Sequence, residues 1–428
     1  MRKYLICVAA SCLVLAGCSG HQALPAPGSH SIQPNHQLVN PYVVQTGKIP
    51  VQWTQFPWGD TNLPNQVNGI VTGSDKNVWY TDYNGQALIK MQMSGKTTKF
   101  ALAYGTGTHF YPGNLTVGAD GKFYISAYAN PGFIGVAKTT GSFSVTAIAS
   151  GDYGYAGGLT KGPDGNVWFT ELAHVAKITP GGTITEFPYA DGYTTNYYGS
   201  IAVGSDGDLW VTEYGVDVID DVDPADGSMT QYSLPCAPIG LIAANDGNLW
   251  ASCNTTSLLR ITTSGTYTAF ANPLGTDGYP SSFTVGQDGN PWFTTSNHNM
   301  IAEFVIASLS LNVYFPPTAQ GLGYALTAGP DGNMWTVDGL GKTDVYIINP
   351  LGVAPSSITF HVGNTQTLTV TENGTTAWTA TSTNPGVASV AQGSPANKFV
   401  ATANGLGNTV ITIKDAIGNS FAVKVKVN

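Results

Sequence analysis

The stretch Gly162–Glu171, Gly-Pro-Asp-Gly-Asn-Val-Trp-Phe-Thr-Glu, recurs in degraded form seven times between residues 69 and 338. The shared aspartate falls at Asp75, Asp120, Asp164, Asp206, Asp246, Asp288 and Asp331, in steps of 45, 44, 42, 40, 42 and 43 residues. An aromatic follows four positions after each: Trp79, Tyr124, Trp168, Trp210, Trp250, Trp292 and Trp335. A period of 40–45 residues with one large aromatic per unit predicts four-stranded sheets arranged around an axis, a β-propeller, and excludes a helical solenoid.

The third unit can be read strand by strand. Gly158–Gly162 is a short inner strand, and Pro163-Asp164-Gly165-Asn166 is its turn, because Asp-Gly tolerates positive φ. Val167–Glu171 and Val175–Thr179 follow, and Thr183–Pro188 is the outer strand. The seventh unit lacks an outer strand of this kind. A segment suited to that place, Val51–Pro57, precedes the first unit. An N-terminal strand at residues 48–57 that completes the last sheet would abolish the open edge between first and last. The expectation for residues 46–352 is a seven-bladed propeller closed in this way, all-β.

Residues 353–428 lose the period and turn to strict alternation. Val423, Val425 and Val427 alternate with Lys424 and Lys426, and Thr365–Thr371 and Thr409–Ile413 read the same way. The pattern Val362-Gly363, Gln366-Thr367-Leu368, Trp378, Asn384–Val390 and Gly405-Leu406-Gly407 resembles bacterial Ig-like domains of surface adhesins. That implies a small β-sandwich without the paired cysteines of antibody domains.

The N-terminus predicts export. Arg2 and Lys3 precede an apolar run, Leu5–Ala16, that is too short for a comfortable membrane span. Leu15-Ala16-Gly17-Cys18 looks like a bacterial lipobox, so residues 1–17 read as a lipoprotein signal peptide and Cys18 as the lipidated residue. Ser19 beside it favours the outer membrane in a host with two membranes. Residues 18–45, with Pro25, Pro27, Pro34 and Pro41, read as a polar tether. The expected partner is therefore a membrane, through a lipid. Only 10% of residues are charged and the net charge is −9, which argues against nucleic acid. The expected state is a monomer.

Cys236 and Cys253 remain as an even pair in an oxidising compartment and predict a disulfide. Candidate ligand residues gather on the connectors of one face: His109, Tyr153, Tyr155, Tyr193, Tyr197, Tyr198, Tyr279 and Tyr324. Rings near a few carboxylates suit a carbohydrate or a planar ligand. The same residues also suit plain packing between sheets. Glu171 and Glu213, from adjacent units, are the candidate acid–base pair. Asp220, Asp221, Asp223 and Asp226 crowd one hairpin that could hold Ca²⁺, although a solvated turn explains them better. No Gly-x-Ser-x-Gly and no His-Glu-x-x-His motif occurs.

The repeat Gly157–Pro188 resembles the blade of the streptogramin B lyase (virginiamycin B lyase) family, over residues 50–350. The resemblance implies a seven-bladed propeller that opens a cyclic depsipeptide by Mg²⁺-assisted elimination. It also implies a histidine pair just before the inner-strand glycines of neighbouring blades, and a glutamate ending a second strand. The matching positions here are Asn68, Gly113, Gly157, Gly199, Ile239, Ser281 and Tyr324, none of them histidine. Only the glutamate carries over, to Glu171 and Glu213. Two functions stay open, with a structural envelope role as a third: an envelope protein that binds a ligand at its tyrosine-rich face, and a carbon–oxygen lyase using Glu171 or Glu213 with Mg²⁺.

Overall fold

The computed structural model describes residues 37–39, 43–45, 52–57 and 67–428, the last with breaks at 104–109, 130–131, 149–153, 156, 190–198, 214, 254–256, 272–279, 296–299, 307, 316–321, 339–343, 350–351, 356, 372–376 and 416–419. Every regular element among them is a β-strand, and no helix there is long and apolar enough to cross a membrane.

The third sheet shows the plan. Leu159–Lys161, Val167–Thr170, His174–Ile178 and Ile184–Pro188 pair antiparallel in chain order. Six further sheets between residues 52 and 349 repeat it, and we number all seven in the order of their turn aspartates. Each inner strand touches the inner strands of two neighbouring sheets, and the seventh touches the first, so the circle closes. In the seventh sheet the outer strand is Gln52–Pro57, antiparallel to Asp344–Asn349. Phe56 of that strand stacks on Trp335 and covers Gly95 in the outer turn of the first sheet, where φ is +82° and a Cβ would strike the ring. Apolar clusters fill the gaps between neighbouring sheets; one of them joins Val78, Tyr80 and Ile89 of the first sheet to Trp335 and Val337 of the seventh. This burial is the main stabilising term.

The repeated turn has a second purpose besides reversing the chain. The aromatics at its +4 position are almost wholly buried, and a buried indole N–H needs an acceptor. The turn aspartate provides it in every sheet. Trp79 Nε1 donates to Asp75 at 2.9 Å, Trp168 to Asp164 at 3.1 Å, and Trp335 to Asp331 at 2.9 Å. In the second sheet the Tyr124 hydroxyl donates to Asp120 at 3.2 Å. The residue after the aspartate is a glycine at positive φ in six of the turns, and Lys76 at φ +57° in the first.

Two short strands fall within the stretch expected to be a tether. Gln37–Val39 adds parallel to the outer strand of the fifth sheet, and Val43–Gln45 parallel to that of the sixth. The sequence contains too few residues of clear alternation there to betray them, and an outer edge with free N–H and C=O groups accepts such short strands readily.

Residues 352–428 form two four-stranded sheets. One contains Gly352–Ala354, Thr365–Thr371, Lys398–Ala403 and Ala388–Gln392. The other contains Ser357–Phe360, Ser420–Val427, Gly407–Asp415 and Trp378–Ser382. A common core of Leu368, Val370, Phe399, Ile411, Ile413 and Val423 lies between them. Val423, Val425 and Val427 are buried while Lys424 and Lys426 face solvent.

Candidate functional site

The inner strands enclose a cavity of ≈ 310 Å³ to which all seven sheets contribute. Its polar side chains are Asn68, Asn114, Ser200 and Ser282. Three of these reach across to the backbone of the next sheet. Asn68 Nδ2 donates to Pro112 O at 3.5 Å, Asn114 Nδ2 to Gly157 O at 2.8 Å, and Ser200 Oγ to Ile239 O at 2.9 Å. Thr81 and Thr170 make the same kind of bond, to Gly113 O and Gly199 O. The axis is therefore lined by neutral groups that also tie neighbouring sheets together.

The carboxylates that end the second strands have neighbours within their own sheets. Glu213 is fully buried, and Gln231 Nε2 of its own outer strand donates to Oε1 at 3.2 Å. Glu171 is 4% exposed, and its ligand oxygen comes within 4.8 Å of ligand atoms of His174 and Glu186, both in its own sheet. In the first sheet Asp82 accepts from Gly85 N at 2.8 Å and meets Lys99 Nζ at 3.5 Å. Each of these carboxylates turns to a partner in its own sheet, because the third residue of each outer strand lies within reach of the second-strand end.

Cys253 ends the second strand of the fifth sheet, opposite Pro238, and is bonded to Cys236 with Cα atoms 5.6 Å apart. Closing a loop of this size stabilises by about 3 kcal/mol.

The acidic hairpin is distributed differently from its sequence reading. Asp220 and Asp221 are consecutive in a strand and point to opposite faces. Asp220 is buried, while Asp223 and Asp226 each accept a backbone N–H of the turn, from Ala225 and Ser228. Asp221 instead lies opposite Trp210 and joins Asp206 and Asp208, with ligand atoms within 4.8 Å. Partial burial and then the charges of Asp208, Asp206 and Asp223 push its carboxyl up to about 7.

A buried carboxyl pair in the sixth sheet escaped the sequence reading. Glu303 is 2% exposed and accepts from Asn290 at 2.8 Å, Asn312 at 3.0 Å and the Tyr314 hydroxyl at 2.7 Å. Burial, followed by the charge of Asp288, pushes it up to about 8. A glutamate on the strand opposite a repeat tryptophan was the available signal, visible only once the strands are in register.

Tyr155 and Tyr324 fall in strands, at Gly154–Tyr155 and Leu322–Ala328. His109, Tyr153, Tyr193, Tyr197, Tyr198, Tyr279 and Cys18 lie outside the described residues. The positions at which the family resemblance places histidines are occupied by other residues, and Asn68, one of them, lines the cavity and bonds to Pro112. Of the two glutamates that the resemblance carries over, Glu213 accepts from Gln231 and Glu171 lies beside His174 and Glu186.

The profile of the virginiamycin B lyase family matches residues 47–235 and 194–353. A solved streptogramin B lyase is 26% identical, with a TM-score of 0.61, covering 70% of this chain and 98% of its own. Selenomethionine-substituted virginiamycin B lyase from Staphylococcus aureus is 25% identical, again with a TM-score of 0.61, covering 70% of this chain and 99% of its own. The WD40 β-propeller domain of Doa1, at 10% identity and a TM-score of 0.55 over 70% of this chain and 97% of its own, shares the fold alone. No curated protein matches the chain. The fold is all-β and propeller-like, and the chain belongs to the virginiamycin B lyase family.

Proposed function

We propose that the protein is a ligand-binding member of this family, held at the cell envelope by a lipid on Cys18, and that it takes a neutral polar ligand such as a carbohydrate without breaking it down. In this reading the seven sheets are the blades of a seven-bladed propeller and residues 353–428 are an Ig-like spacer. The ligand meets the mouth of the axial cavity and the tyrosine-rich connectors around it. The observation that carries the reading is the neutral polar lining of the axis, Asn68, Asn114, Ser200 and Ser282, together with the absence of histidine from the matching family positions. Neutral amides and hydroxyls suit hydrogen bonding to sugar hydroxyls, and tyrosine rings suit the apolar face of a sugar. They supply no base for abstracting a proton.

A thermal-shift screen of the mature protein against glycans, peptidoglycan fragments and a streptogramin B tests this. A ligand at 100 times its Kd should add about 2.7 kcal/mol. A glycan shift that disappears in Tyr197→Ala or Tyr198→Ala supports the proposal. Ring-opened streptogramin product that depends on Mg²⁺ and is lost in Glu171→Gln would replace it with the lyase.

A further inference from the structure

We infer that the third sheet contains a binding site for a first-row divalent cation, Zn²⁺ best, built from Glu171, His174 and Glu186. The argument comes from comparing the same place in three sheets. The second strand ends on a carboxylate in the first, third and fourth sheets, at Asp82, Glu171 and Glu213, and, outside this comparison, at Asp338 in the seventh. The group that meets it is the third residue of the outer strand. In the first sheet, strand Thr97–Ala101, this is Lys99, whose ammonium lies 3.5 Å from Asp82. In the fourth sheet, strand Met229–Ser233, it is Gln231, which donates to Glu213 at 3.2 Å. In the third sheet, strand Ile184–Pro188, the same position is Glu186.

A second carboxylate stands where a cation or an amide stands elsewhere. The first residue of the intervening strand also differs: Ala87 and Val218 in the first and fourth sheets, His174 in the third. One ligand atom from each of Glu171, His174 and Glu186 lies within 4.8 Å of the others. Nδ1 of His174 is buried and has no hydrogen-bond partner among the described residues. Two carboxylates this close attract a cation more strongly than either does alone.

Two carboxylate oxygens and an imidazole nitrogen form a ligand set for Zn²⁺ or Mn²⁺ and are too few and too nitrogen-rich for Ca²⁺. Glu171 is buried, while His174 and Glu186 are partly exposed, so an ion has a way in. The ion would do in the third sheet what Lys99 does in the first. None of the three residues lines the axial cavity, so this site stands or falls apart from the ligand-binding reading.

The test uses the mature protein stripped with EDTA and titrated with Zn²⁺ and Mn²⁺ against a competing chromophoric chelator. One equivalent of tight binding is expected, together with a rise in Tm. Glu186→Gln copies the fourth sheet and should weaken binding more than ~10-fold. Glu186→Lys copies the first sheet. It should abolish the tight equivalent and raise the Tm of the metal-free protein towards that of the zinc-loaded parent. His174→Asn should weaken zinc binding while the circular dichroism spectrum stays unchanged. No stoichiometric binding in the parent, or tight binding that survives in Glu186→Lys and His174→Asn, overturns the inference.

Discussion

The fifth and sixth sheets build the same turn with opposite chemistry. In both, a buried tryptophan donates to the turn aspartate, Trp250 to Asp246 and Trp292 to Asp288. In both, one residue of the third strand lies directly opposite that tryptophan. In the fifth sheet it is Arg260, whose Nε lies 2.7 Å from Asp246. In the sixth it is Glu303, inside a net of amides and a phenol. The turn needs an acceptor for the indole and a way to keep a carboxylate half-buried. A cation serves in one sheet, and a set of neutral donors around a carboxyl of raised pKa serves in the other. Lys90 and Lys177 repeat the fifth sheet's solution in the first and third, and Asp221 repeats the acidic one in the fourth.

The first way to sharpen the contrast is to delete each partner. Glu303→Ala leaves the Asn290, Asn312 and Tyr314 donors buried without their acceptor. It should cost about 3 kcal/mol or more in urea unfolding. Arg260→Ala removes a pair whose guanidinium side chain is 36% exposed, and should cost less than about 1 kcal/mol, falling further in salt. Equal losses would break the comparison.

The second test concerns the residue under the indole. The sixth sheet has Gly286 there, and the fifth has Ala244. A Cβ on Gly286 would lie 2.5 Å from Trp292 Nε1 and 2.7 Å from its Cδ1. The fifth sheet accommodates its methyl group with an indole bond of 3.4 Å. Gly286→Ala should therefore destabilise by about 1–3 kcal/mol, whereas Ala244→Gly should be close to neutral. Thermal unfolding of both variants decides it.

The smallest effect is a pH slope. Glu303 is pushed up to about 8, from a reference value of 4.5. A carboxyl with a raised folded pKa holds more proton in the folded than in the unfolded protein. Its contribution is fullest at low pH and declines as pH rises between those two values, by at most about 1.4 kcal/mol per pH unit. Glu303→Gln keeps the neutral shape and should flatten that part of the profile between pH 5 and 8. Asp221 contributes in the same direction up to about 7, so the measurement is the difference between parent and variant. A parent and variant with parallel profiles would show that Glu303 is ionised throughout.

The repeat was legible because its causes are local. A turn aspartate, a glycine with positive φ and an aromatic four residues on are contiguous in the chain, and seven copies set the number of sheets. Alternating valines and lysines announced the half-buried strand Ser420–Val427 for the same reason. The partners of the turn aspartates were not legible at a fixed offset. The residue opposite the tryptophan lies 11 positions on in the first sheet, at Lys90, 9 in the third, at Lys177, and 10 in the fifth, at Arg260, because the hairpins differ in length. The same blindness hid Glu303, moved Asp221 away from Asp220 and towards Asp206, and placed Glu186 and His174 beside Glu171. The sequence alone determined what depends on near neighbours: strand order, turn chemistry and the departure from the family's histidine pattern. The tertiary structure decided which charges meet, because those meetings depend on cross-strand register, which brings Lys90, Asp221 or Glu303 opposite a tryptophan in different sheets.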